Sequence, residues 1–411
     1  VRTPDGSKSL DDAGRNEIEA KYREMADQGL RVLAFAQRRT VGPVETEEDL
    51  EFLGLVGLID PPRPEVKGAV ALCHSAGVRV VMITGDAPRT GGAIARAIGL
   101  PVAQVLTGAE LAALDDEALR LALREDIHFA RTTPAQKMRI IDALQDQGHL
   151  VAMTGDGVND APALRKADIG VSMGQRGTDV AKDASDLVLL DDNFATIVRA
   201  IREGRRQFAN IQKFVRYLLS SNFGEVIAIV VNILIGGPLI FFATQILWMN
   251  LITDGVTAVA LGLEKSSPEA MKRPPRPKAT PILDKTGILM IAGFGLYTGG
   301  ASLWLFYSMV DQSETLARTM AFTGMVIFEK LSVFAFRSFS TPCWRLGWFS
   351  NRPLILALCA MLVLQIAAVY APPMQALLHT QALSLHHWGM LLALAAPLVI
   401  VPEVIKSLRR I

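Results

Sequence analysis

The chain has 411 residues, a formal net charge of +1 at pH 7 and three cysteines. This length is enough for more than one domain. A near-neutral chain without a basic and aromatic stripe is not typical of nucleic-acid-binding proteins, which neutralise phosphates with a basic surface. The cysteines, Cys73, Cys343 and Cys359, have no paired spacing, so neither a disulfide framework nor a zinc site is indicated.

The first half of the sequence alternates apolar and charged stretches, as soluble α/β proteins do. Residues 1–50 begin with VRTPDGSKSLDD, which has neither the features of a signal peptide nor those of a natural start. They carry one amphipathic helix from Glu17 to Gln28 and an apolar stretch at 30–36, and are too few to bury a core of their own.

Residues 51–205 predict a parallel sheet covered by helices on both faces, because short runs of Val, Ile and Leu alternate with segments of helical period. The predicted strands lie at 52–59, 78–83, 150–154, 168–172 and 186–190, and the predicted helices lie near 64–76, 88–99, 109–123 and 134–147.

The second half, residues 206–411, contains apolar runs long enough to span a bilayer, which takes roughly 20 residues. Six spans are predicted, near 214–236, 239–263, 287–310, 318–338, 352–371 and 387–408. Lys and Arg are concentrated in the loop 265–285, in the connection between the fourth and fifth spans, and in the tail KSLRR. The positive-inside rule therefore predicts that these segments, the C-terminus and the soluble half are cytoplasmic.

The strongest motif is TGDGVNDAP at 154–162, which follows the predicted strand LVAMT. Ligands of open parallel sheets bind at the carboxyl ends of strands, so Asp156, Asn159 and Asp160 lie where chemistry is expected. Carboxylate and amide oxygens suit Mg²⁺ beside a phosphate. An Asx-rich turn is the structural alternative, and the motif's companions argue against it.

Those companions follow other elements of the same domain. Thr84, Gly85 and Asp86 end the run VRVVMI, and they supply a hydroxyl group and free backbone amides. Lys137 begins a helix, where a cation can neutralise charge on a transferring phosphoryl group. A threonine, a lysine and an aspartate pair in this order match the haloacid dehalogenase pattern.

Four runs together resemble the P-type ATPases, most closely the calcium pumps and their bacterial relatives. They are DPPRPEV at 60–66, MITGD at 82–86, TGDGVNDAPALRKADIGVSMG at 154–174 and DDNFATIV at 191–198. The resemblance covers essentially the whole chain. It implies a nucleotide-domain remnant at 1–50, a haloacid-dehalogenase-like phosphorylation domain at 51–205 and a six-helix cation-transporting domain at 206–411.

The resemblance also implies roles for individual residues. Asp156 and Asp160 would serve the Mg²⁺ site, with Asn159 and Asp160 ordering it. The phosphoryl group would be contacted by Thr84, with Gly85 and Asp86, and by Lys137. Arg31 and Arg131 would help to hold ATP.

Polar residues recur at helical spacing in the first two membrane spans. Asn222 and Glu225 lie three residues apart in the first, and Asn250, Thr253 and Asp254 share one face of the second. A charged residue at the bilayer centre costs roughly 2.5–3.5 kcal/mol on insertion scales, so carboxylates there usually mark an ion path. Oxygen ligands suit Ca²⁺, although polar contacts between helices could account for Asn222 or Thr253 alone.

These two runs, and Glu329 in the fourth span, resemble the cation ligands of calcium pumps. Lys330 directly follows Glu329, and a buried ammonium could neutralise that carboxylate. The sequence therefore leaves open whether one ion or two are bound.

The run DKTG at 284–287 resembles the core of the phosphorylation signature of these pumps. However, Ile288 replaces the expected threonine and no strand leads into the run, so Asp284 is not predicted to be the nucleophile. The phosphorylated aspartate, the actuator domain and four earlier membrane helices are expected upstream, and this chain alone is expected to be inactive.

The predicted function is ATP-driven export of Ca²⁺ through an aspartyl-phosphate intermediate, in a multi-pass protein of a bacterial plasma membrane. Mn²⁺, Na⁺ or another cation is an alternative cargo, whereas heavy metals are disfavoured because the first two spans offer oxygen and no cysteine or histidine. A non-catalytic membrane protein that binds ions or regulates another protein is the alternative of a different class.

Overall fold

The computed structural model of the protein describes residues 2–3, 6–38, 50–59, 61–278 and 280–408. Parts of the predicted segment 1–50, Asp60 of the run DPPRPEV and Arg409 and Arg410 of the tail lie outside the described residues. The chain forms two compact units. The first comprises Val1–Arg202 and Pro268–Thr280, and the second comprises Glu203–Ser267 and Pro281–Ile411.

The first unit contains all the described strands and the shorter soluble helices. The strands are β1 (Arg2–Thr3), β2 (Gly6–Ser7), β3 (Arg31–Gln37), β4 (Glu51–Leu58), β5 (Ile83–Thr84), β6 (Gln104–Thr107), β7 (Ile127–Ala130), β8 (Ala152–Gly155), β9 (Ile169–Met173) and β10 (Leu187–Leu189). The helices are α1 (Asp12–Asp27), α2 (Pro64–Ser75), α3 (Pro88–Ala97), α4 (Gly108–Ala113), α5 (Asp116–Ala122), α6 (Pro134–Asp146), α7 (Ala161–Lys166) and α8 (Asp179–Asp183). A single turn of 3₁₀-helix at Val158–Asp160 precedes α7.

Two parallel three-stranded sheets form the centre of this unit, which confirms the predicted α/β class. Their strand orders are β5-β7-β6 and β10-β9-β8. In the first sheet the strand β7 lies in the middle and is buried along its whole length. In the second sheet β9 lies in the middle, and its residues Gly170–Ser172 are buried. One of the two edge strands of each sheet directly precedes predicted site residues. Strand β5 precedes Gly85, and β8 precedes Asp156.

The structure corrects three predictions about strands and helices. The strand predicted at 52–59 belongs to no parallel sheet, because β4 pairs antiparallel with β3 in a separate two-stranded sheet. Only Ile83 of the run VRVVMI is strand, because β5 comprises Ile83 and the following Thr84 and has a strand partner on one side only among the described residues. The helix predicted at 109–123 is two helices, because Asp115 caps a new one by accepting the amide of Ala118.

The second unit is helical. A single helix, α9 (Phe194–Ile235), contributes residues to both units, and its second part contains the first predicted span. Among the described residues, five helices are long and apolar enough to cross a membrane: α9, α12 (Lys285–Met309), α13 (Glu314–Phe336), α15 (Arg352–Tyr370) and α17 (Leu385–Leu408). Between them lie the short helices α14 (Cys343–Leu346) and α16 (Pro372–Leu378).

The second predicted span, 239–263, is observed as three consecutive helical parts. Helix α10 (Ala243–Leu247) leads into a π-helical stretch, Trp248–Asp254, which continues as α11 (Gly255–Gly262). A π-helical turn inside an α-helix is rare and is frequently found at functional sites. This stretch contains three of the predicted cation ligands.

Helix α13 is the centre of the second unit. Of its most apolar 18-residue window, 89% is buried, against 22–33% for the other four candidate spans. Buried Phe, Met and Leu side chains of α13 pack with those of α12 and α17 in one apolar cluster. Polar residues on α13 are therefore enclosed by protein, which makes Glu329 and Lys330 interior charges.

Candidate functional site

The loop after β8 is organised around the carboxylate of Asp160. Its Oδ2 accepts the backbone amides of Asp156, at 3.3 Å, and of Gly157, at 3.2 Å. Its Oδ1 accepts a 2.6 Å bond from Nζ of Lys137. Both side chains are largely enclosed, with 18% of Lys137 and 13% of Asp160 exposed. The structure thus brings together Lys137, Asp156 and Asp160 as the motif analysis predicts.

Helix α6 fixes the position of Lys137. Its N-terminus carries a capping box, in which Thr133 accepts the amide of Gln136 and the Gln136 side chain accepts the amide of Thr133. Pro134 follows the cap, where a missing backbone donor costs nothing. Lys137 consequently leaves the first turn of a well-capped helix.

Thr84 and Asp86 form a second small group at the end of β5. The Thr84 hydroxyl donates to Asp86 at 3.1 Å and accepts the amide of Asp86 at 3.1 Å. The backbone amide of Arg131 donates to the carbonyl of Thr84 at 2.8 Å, and Arg131 adopts a left-handed φ of 53°. Among the described residues, no hydrogen bond joins this group to Lys137 or Asp160. The remaining predicted nucleotide ligand, Arg31, is exposed on β3.

The carboxylate of Asp156 is the best candidate for a Mg²⁺ ligand. Asp156 is exposed beyond the end of β8, whereas both oxygens of Asp160 already accept hydrogen bonds. Asn159 is also exposed on this loop. The described residues contain no cluster of three or more His, Cys, Asp or Glu side chains suited to a metal. A Mg²⁺ bound here would therefore rely on oxygens from Asp156, its backbone and the phosphoryl group itself.

Two aspartates that the motif analysis did not single out support this loop. Asp168 accepts the amide of Val151 at 3.0 Å, and this bond keeps the pKa of its carboxyl below the ordinary value. Asp192 accepts the amides of Gln175 and Arg176, at 2.9 Å each, and its pKa is lowered chiefly by the Gln175 amide. The segment that Asp192 holds continues to Thr178, whose amide donates to the carbonyl of Asp156 at 2.9 Å. Asp192 adopts a left-handed φ of 49°, which the sequence does not predict.

In the second unit, the predicted cation ligands of two helices meet. Nδ2 of Asn250 donates to Oε2 of Glu225 at 2.7 Å. Thr253 lies within the same π-helical stretch and donates its hydroxyl to the carbonyl of Met249 at 2.8 Å. Glu225, Thr253 and Asp254 are all buried.

Lys330 and Tyr217 both bind Asp254. Nζ of Lys330 lies 2.5 Å from Oδ1 of Asp254 and 2.9 Å from the hydroxyl of Tyr217. The Tyr217 hydroxyl donates to the same Oδ1 at 3.2 Å. Tyr217 was missed by the motif analysis, although it lies eight residues before Glu225 in α9, which is one of the spacings that share a helix face.

Glu329 is a third buried carboxylate among the predicted ligands, after Glu225 and Asp254, although the described part of the chain places no three such side chains in a cluster suited to a metal ion. It lies 3.9 Å from Nζ of Lys330 and interacts electrostatically with Asp254 and Glu225. Four buried oxygens of these three carboxylates have no hydrogen-bond partner in the described part of the chain: Oε1 of Glu225, Oδ2 of Asp254 and both carboxylate oxygens of Glu329. Buried carboxylate oxygens without donors are costly, so they mark a place for a cation or protons.

Asn222 does not join this group. It is exposed and lines an open apolar groove of about 390 Å³ with Leu219, Phe223, Val226, Leu283, Ile288 and Ile291. Its role as a cation ligand remains a prediction.

The run DKTG has a structural role. Asp284 caps α12 by accepting the amide of Gly287 at 2.6 Å, and it also accepts a 3.2 Å bond from Arg216. Oδ1 of Asp284 accepts both bonds, so this aspartate acts as a helix cap that also pairs with an arginine.

Comparison with known protein families gives two matches along the chain. Residues 12–168 match the haloacid dehalogenase-like hydrolase family, and residues 238–408 match the family described as cation transporting ATPase, C-terminus.

Curated relatives match nearly the whole chain. It is 43% identical to a calcium-transporting ATPase of Bacillus subtilis over 95% of this chain and 45% of the relative. It is 43% identical to a probable cation-transporting ATPase F of Mycobacterium tuberculosis, over 94% of this chain and 44% of the relative. It is 40% identical to the calcium-transporting ATPase type 2C member 2 of Rattus norvegicus, over 93% of this chain and 41% of the relative. The chain therefore spans less than half the length of the relatives it matches.

Proposed function

Because the chain belongs to the P-type cation-transporting ATPase family, we propose that it forms the C-terminal part of an ATP-driven calcium pump. The observation that carries the proposal is the burial of three predicted ligands, Glu225, Asp254 and Glu329, four of whose oxygens have no hydrogen-bond partner in the described part of the chain. They lie in the helical unit, of which residues 238–408 match this family. Oxygen ligands suit Ca²⁺, and two of the three relatives described above are named for calcium. All three are named as ATPases, which favours a pump over a non-catalytic membrane protein.

The soluble residues would bind and orient the phosphoryl group. Asp156 would hold Mg²⁺, which supplies neutralising charge for phosphoryl transfer. Lys137, fixed by Asp160, would add a second positive charge at the end of β8. Thr84 would offer its hydroxyl and Gly85 its backbone amide to phosphoryl oxygens, while Arg31 and Arg131 would contact ATP.

The acceptor of the phosphoryl group would be an aspartate outside these 411 residues. The edge strands β5 and β8 precede Gly85 and Asp156, and each has a strand partner on one side only among the described residues. A further strand that pairs with these edges would bring its carboxyl end beside both groups. The actuator domain and the first four membrane helices would belong to the same longer pump.

The protein is a multi-pass membrane protein, as its relatives and five apolar helices indicate. We assign it to a bacterial plasma membrane with the phosphorylation domain and the C-terminus in the cytoplasm. Lys and Arg in the loop 265–285 support this orientation.

Uptake of ⁴⁵Ca²⁺ by inside-out vesicles that contain the complete pump tests the proposal. We expect ATP-dependent uptake in the wild type and its loss in Asp254→Asn and in Asp156→Asn. Asp284→Asn is the matched control, since asparagine also caps helices and uptake should persist. Unchanged uptake in Asp254→Asn would remove the ion-site assignment, and uptake of Mn²⁺ or Na⁺ in place of Ca²⁺ would change the cargo.

A further inference from the structure

We propose that Gly108 is a positioning residue for the nucleotide, because its lack of a side chain lets Arg131 keep the backbone conformation from which its guanidinium would contact ATP. The inference deepens the proposed function and rests on it. Gly108 follows the strand β6 and is not among the residues that the motif analysis singled out. It has no side chain, so its role is to position another residue and not to bind the substrate.

Arg131 lies at the centre of the carboxyl edge of the first parallel sheet. It directly follows β7, the middle strand, whose last residue Ala130 is in register with Thr84 of β5 and with Thr107 of β6. Ligands of open parallel sheets bind at this edge. Arg131 is exposed there, and a guanidinium can bind a phosphate through two parallel hydrogen bonds.

The backbone of Arg131 is left-handed, with a φ of 53°. Residues other than glycine rarely adopt this conformation, because their Cβ atom crowds a carbonyl oxygen, and it persists only where the surroundings hold it. Two contacts hold it here. The amide of Arg131 donates to the carbonyl of Thr84 at 2.8 Å, and its carbonyl oxygen packs against Gly108.

The packing at Gly108 leaves no room for a side chain. A Cβ atom added there would lie 2.5 Å from the carbonyl oxygen of Arg131 and 2.7 Å from Oε1 of Gln136. The first of these atoms belongs to the backbone, so it moves only if the turn at Arg131 changes. Any side chain at position 108 would therefore displace the backbone that carries the guanidinium.

The elements on both sides of this contact are fixed, so Gly108 cannot simply shift away. Nε2 of Gln136 donates to the Gly108 carbonyl at 2.6 Å, and Oε1 of Gln136 accepts the amide of Thr133 at 2.9 Å. Helix α4, which begins at Gly108, is capped by Thr107, whose hydroxyl accepts the amide of Glu110 at 3.2 Å. The starts of α4 and α6 thus hold Gly108 against the Arg131 turn.

Two kinds of labelling of the complete pump separate positioning from a general structural role. Formation of an aspartyl phosphate from inorganic phosphate reverses its hydrolysis and needs no nucleotide, so it would not use Arg131. Gly108→Ala should raise the ATP concentration for half-maximal labelling by about tenfold or more, because a charge-assisted contact is lost. Labelling from radioactive inorganic phosphate, with and without Ca²⁺, should stay within about twofold of the wild type. An unchanged ATP requirement, or an equal loss of both labels, would overturn the inference.

A double variant tests whether Gly108 acts through Arg131. Arg131→Asn removes the guanidinium but keeps a residue that tolerates the left-handed backbone, and it should raise the ATP requirement to a similar extent. Adding Gly108→Ala to it should change that requirement by less than about twofold, because both changes remove the same contact. Multiplied effects would show that Gly108 acts independently of Arg131. Gly68→Ala in α2 is the matched control and should behave like the wild type, since an added Cβ meets no atom of another described segment within 4 Å.

Gln136→Asn decides the matter if Gly108→Ala does not fold. The shorter amide cannot reach the Gly108 carbonyl, whereas Thr133 can still cap α6. We expect the ATP requirement to rise by at least about threefold with phosphate labelling unchanged, because one hydrogen bond that holds the turn is lost. A wild-type ATP requirement in this variant would overturn the inference. A wild-type pump that ATP does not label at all would instead contradict the proposed function, so the two failures are distinguishable.

Discussion

At the scale of single residues, the proposed phosphoryl site contains a lysine and an aspartate that bind one another. Asp160 holds the loop through the amides of Asp156 and Gly157, and Lys137 neutralises it at 2.6 Å. The pair is mostly enclosed, so its attraction is screened less than that of a surface pair. The remaining hydrogens of the Lys137 ammonium are available to a phosphoryl group at the end of β8.

Replacing Lys137 by methionine should lower phosphoenzyme formation by about a hundredfold or more, because a positive charge aimed at the transferring group is lost. Radioactive phosphate incorporation from ATP by the complete pump measures this effect. Lys166→Met is the matched control, since Lys166 pairs with Asp142 at the surface, with 43% and 50% of the side chains exposed. Surface pairs of this kind contribute about 0–1 kcal/mol. Equal losses in the two variants would contradict the role of Lys137.

The sequence predicts much of this site and misses its partners. Asp156, Asp160 and Lys137 are predictable because a loop after an apolar strand and a helix start are local patterns. The bond between Lys330 and Asp254 joins residues 76 apart in the chain, and no local pattern reports it. No local pattern predicts the contacts of Asp192 either, because it accepts the amides of Gln175 and Arg176, which lie far from it in the chain, and has a left-handed backbone.

At the scale of elements, close packing of α9 on α12 determines where Glu225 lies. A Cβ atom added at Gly299 would lie 2.7 Å from the carbonyl oxygen of Gly224 and 2.9 Å from Cγ2 of Ile227. One added at Gly295 would lie 3.1 Å from the amide nitrogen of Gly224. Small residues four apart let membrane helices approach in this way. Glu225 immediately follows the contact point.

Gly299→Val should therefore separate the two helices and displace Glu225. We expect a loss of about 1–3 kcal/mol in stability, typical of overpacking, together with weaker Ca²⁺ uptake. Thermal unfolding of the pump in detergent and vesicle uptake measure the two effects. At Gly300 an added Cβ meets no atom of another described segment within 4 Å, so Gly300→Val is the control and should behave like the wild type. Equal behaviour of the two variants would contradict the close contact.

The buried strand β7 should make the first unit sensitive to acid. His128 accepts the amide of Met82 at Nδ1, 3.0 Å away, and its Nε2 lies 2.9 Å from the carbonyl of Pro101. Burial lowers the pKa of His128 below its ordinary value of 6.5, although the bond to Pro101 opposes this shift. The unfolded chain therefore takes up the proton first as the pH falls. The stability from neutral His128 is complete above pH 6.5, declines below it and is lost beneath the folded-state pKa.

Hydrogen–deuterium exchange of the peptide 78–84, corrected for intrinsic rates, measures this effect. Protection should fall as the pH decreases below about 6.5. His128→Gln should flatten that dependence, whereas His149→Gln, at an exposed position, should leave it unchanged. A wild-type pH profile retained in His128→Gln would exclude His128 as the cause.

Element boundaries are predictable only where the pattern is long or well capped. The apolar spans are recognisable because five long helices carry them. The strands β6 and β7 were missed, since each has four residues and lies close to helical segments. The sequence does not predict the π-helical stretch Trp248–Asp254 either, because its composition matches that of an ordinary membrane helix.

At the scale of the whole molecule, the proposed function requires two kinds of site in one chain. The first unit has the loop that we propose to bind the phosphoryl group, and the second has the buried carboxylates Glu225, Asp254 and Glu329. Helix α9 contributes residues to both units, from Phe194 to Ile235. We propose that this helix couples the two sites, so that ion binding at Glu225 controls phosphorylation.

Calcium dependence of phosphorylation tests this central claim most directly. The complete pump is incubated with radioactive ATP at a series of Ca²⁺ concentrations, and the acid-stable label is counted. The wild type should be labelled only with Ca²⁺, Glu225→Gln should need roughly tenfold more Ca²⁺ or greater, and Asp156→Asn should not be labelled. Labelling of the wild type without Ca²⁺, or an identical Ca²⁺ requirement in Glu225→Gln, would contradict the account.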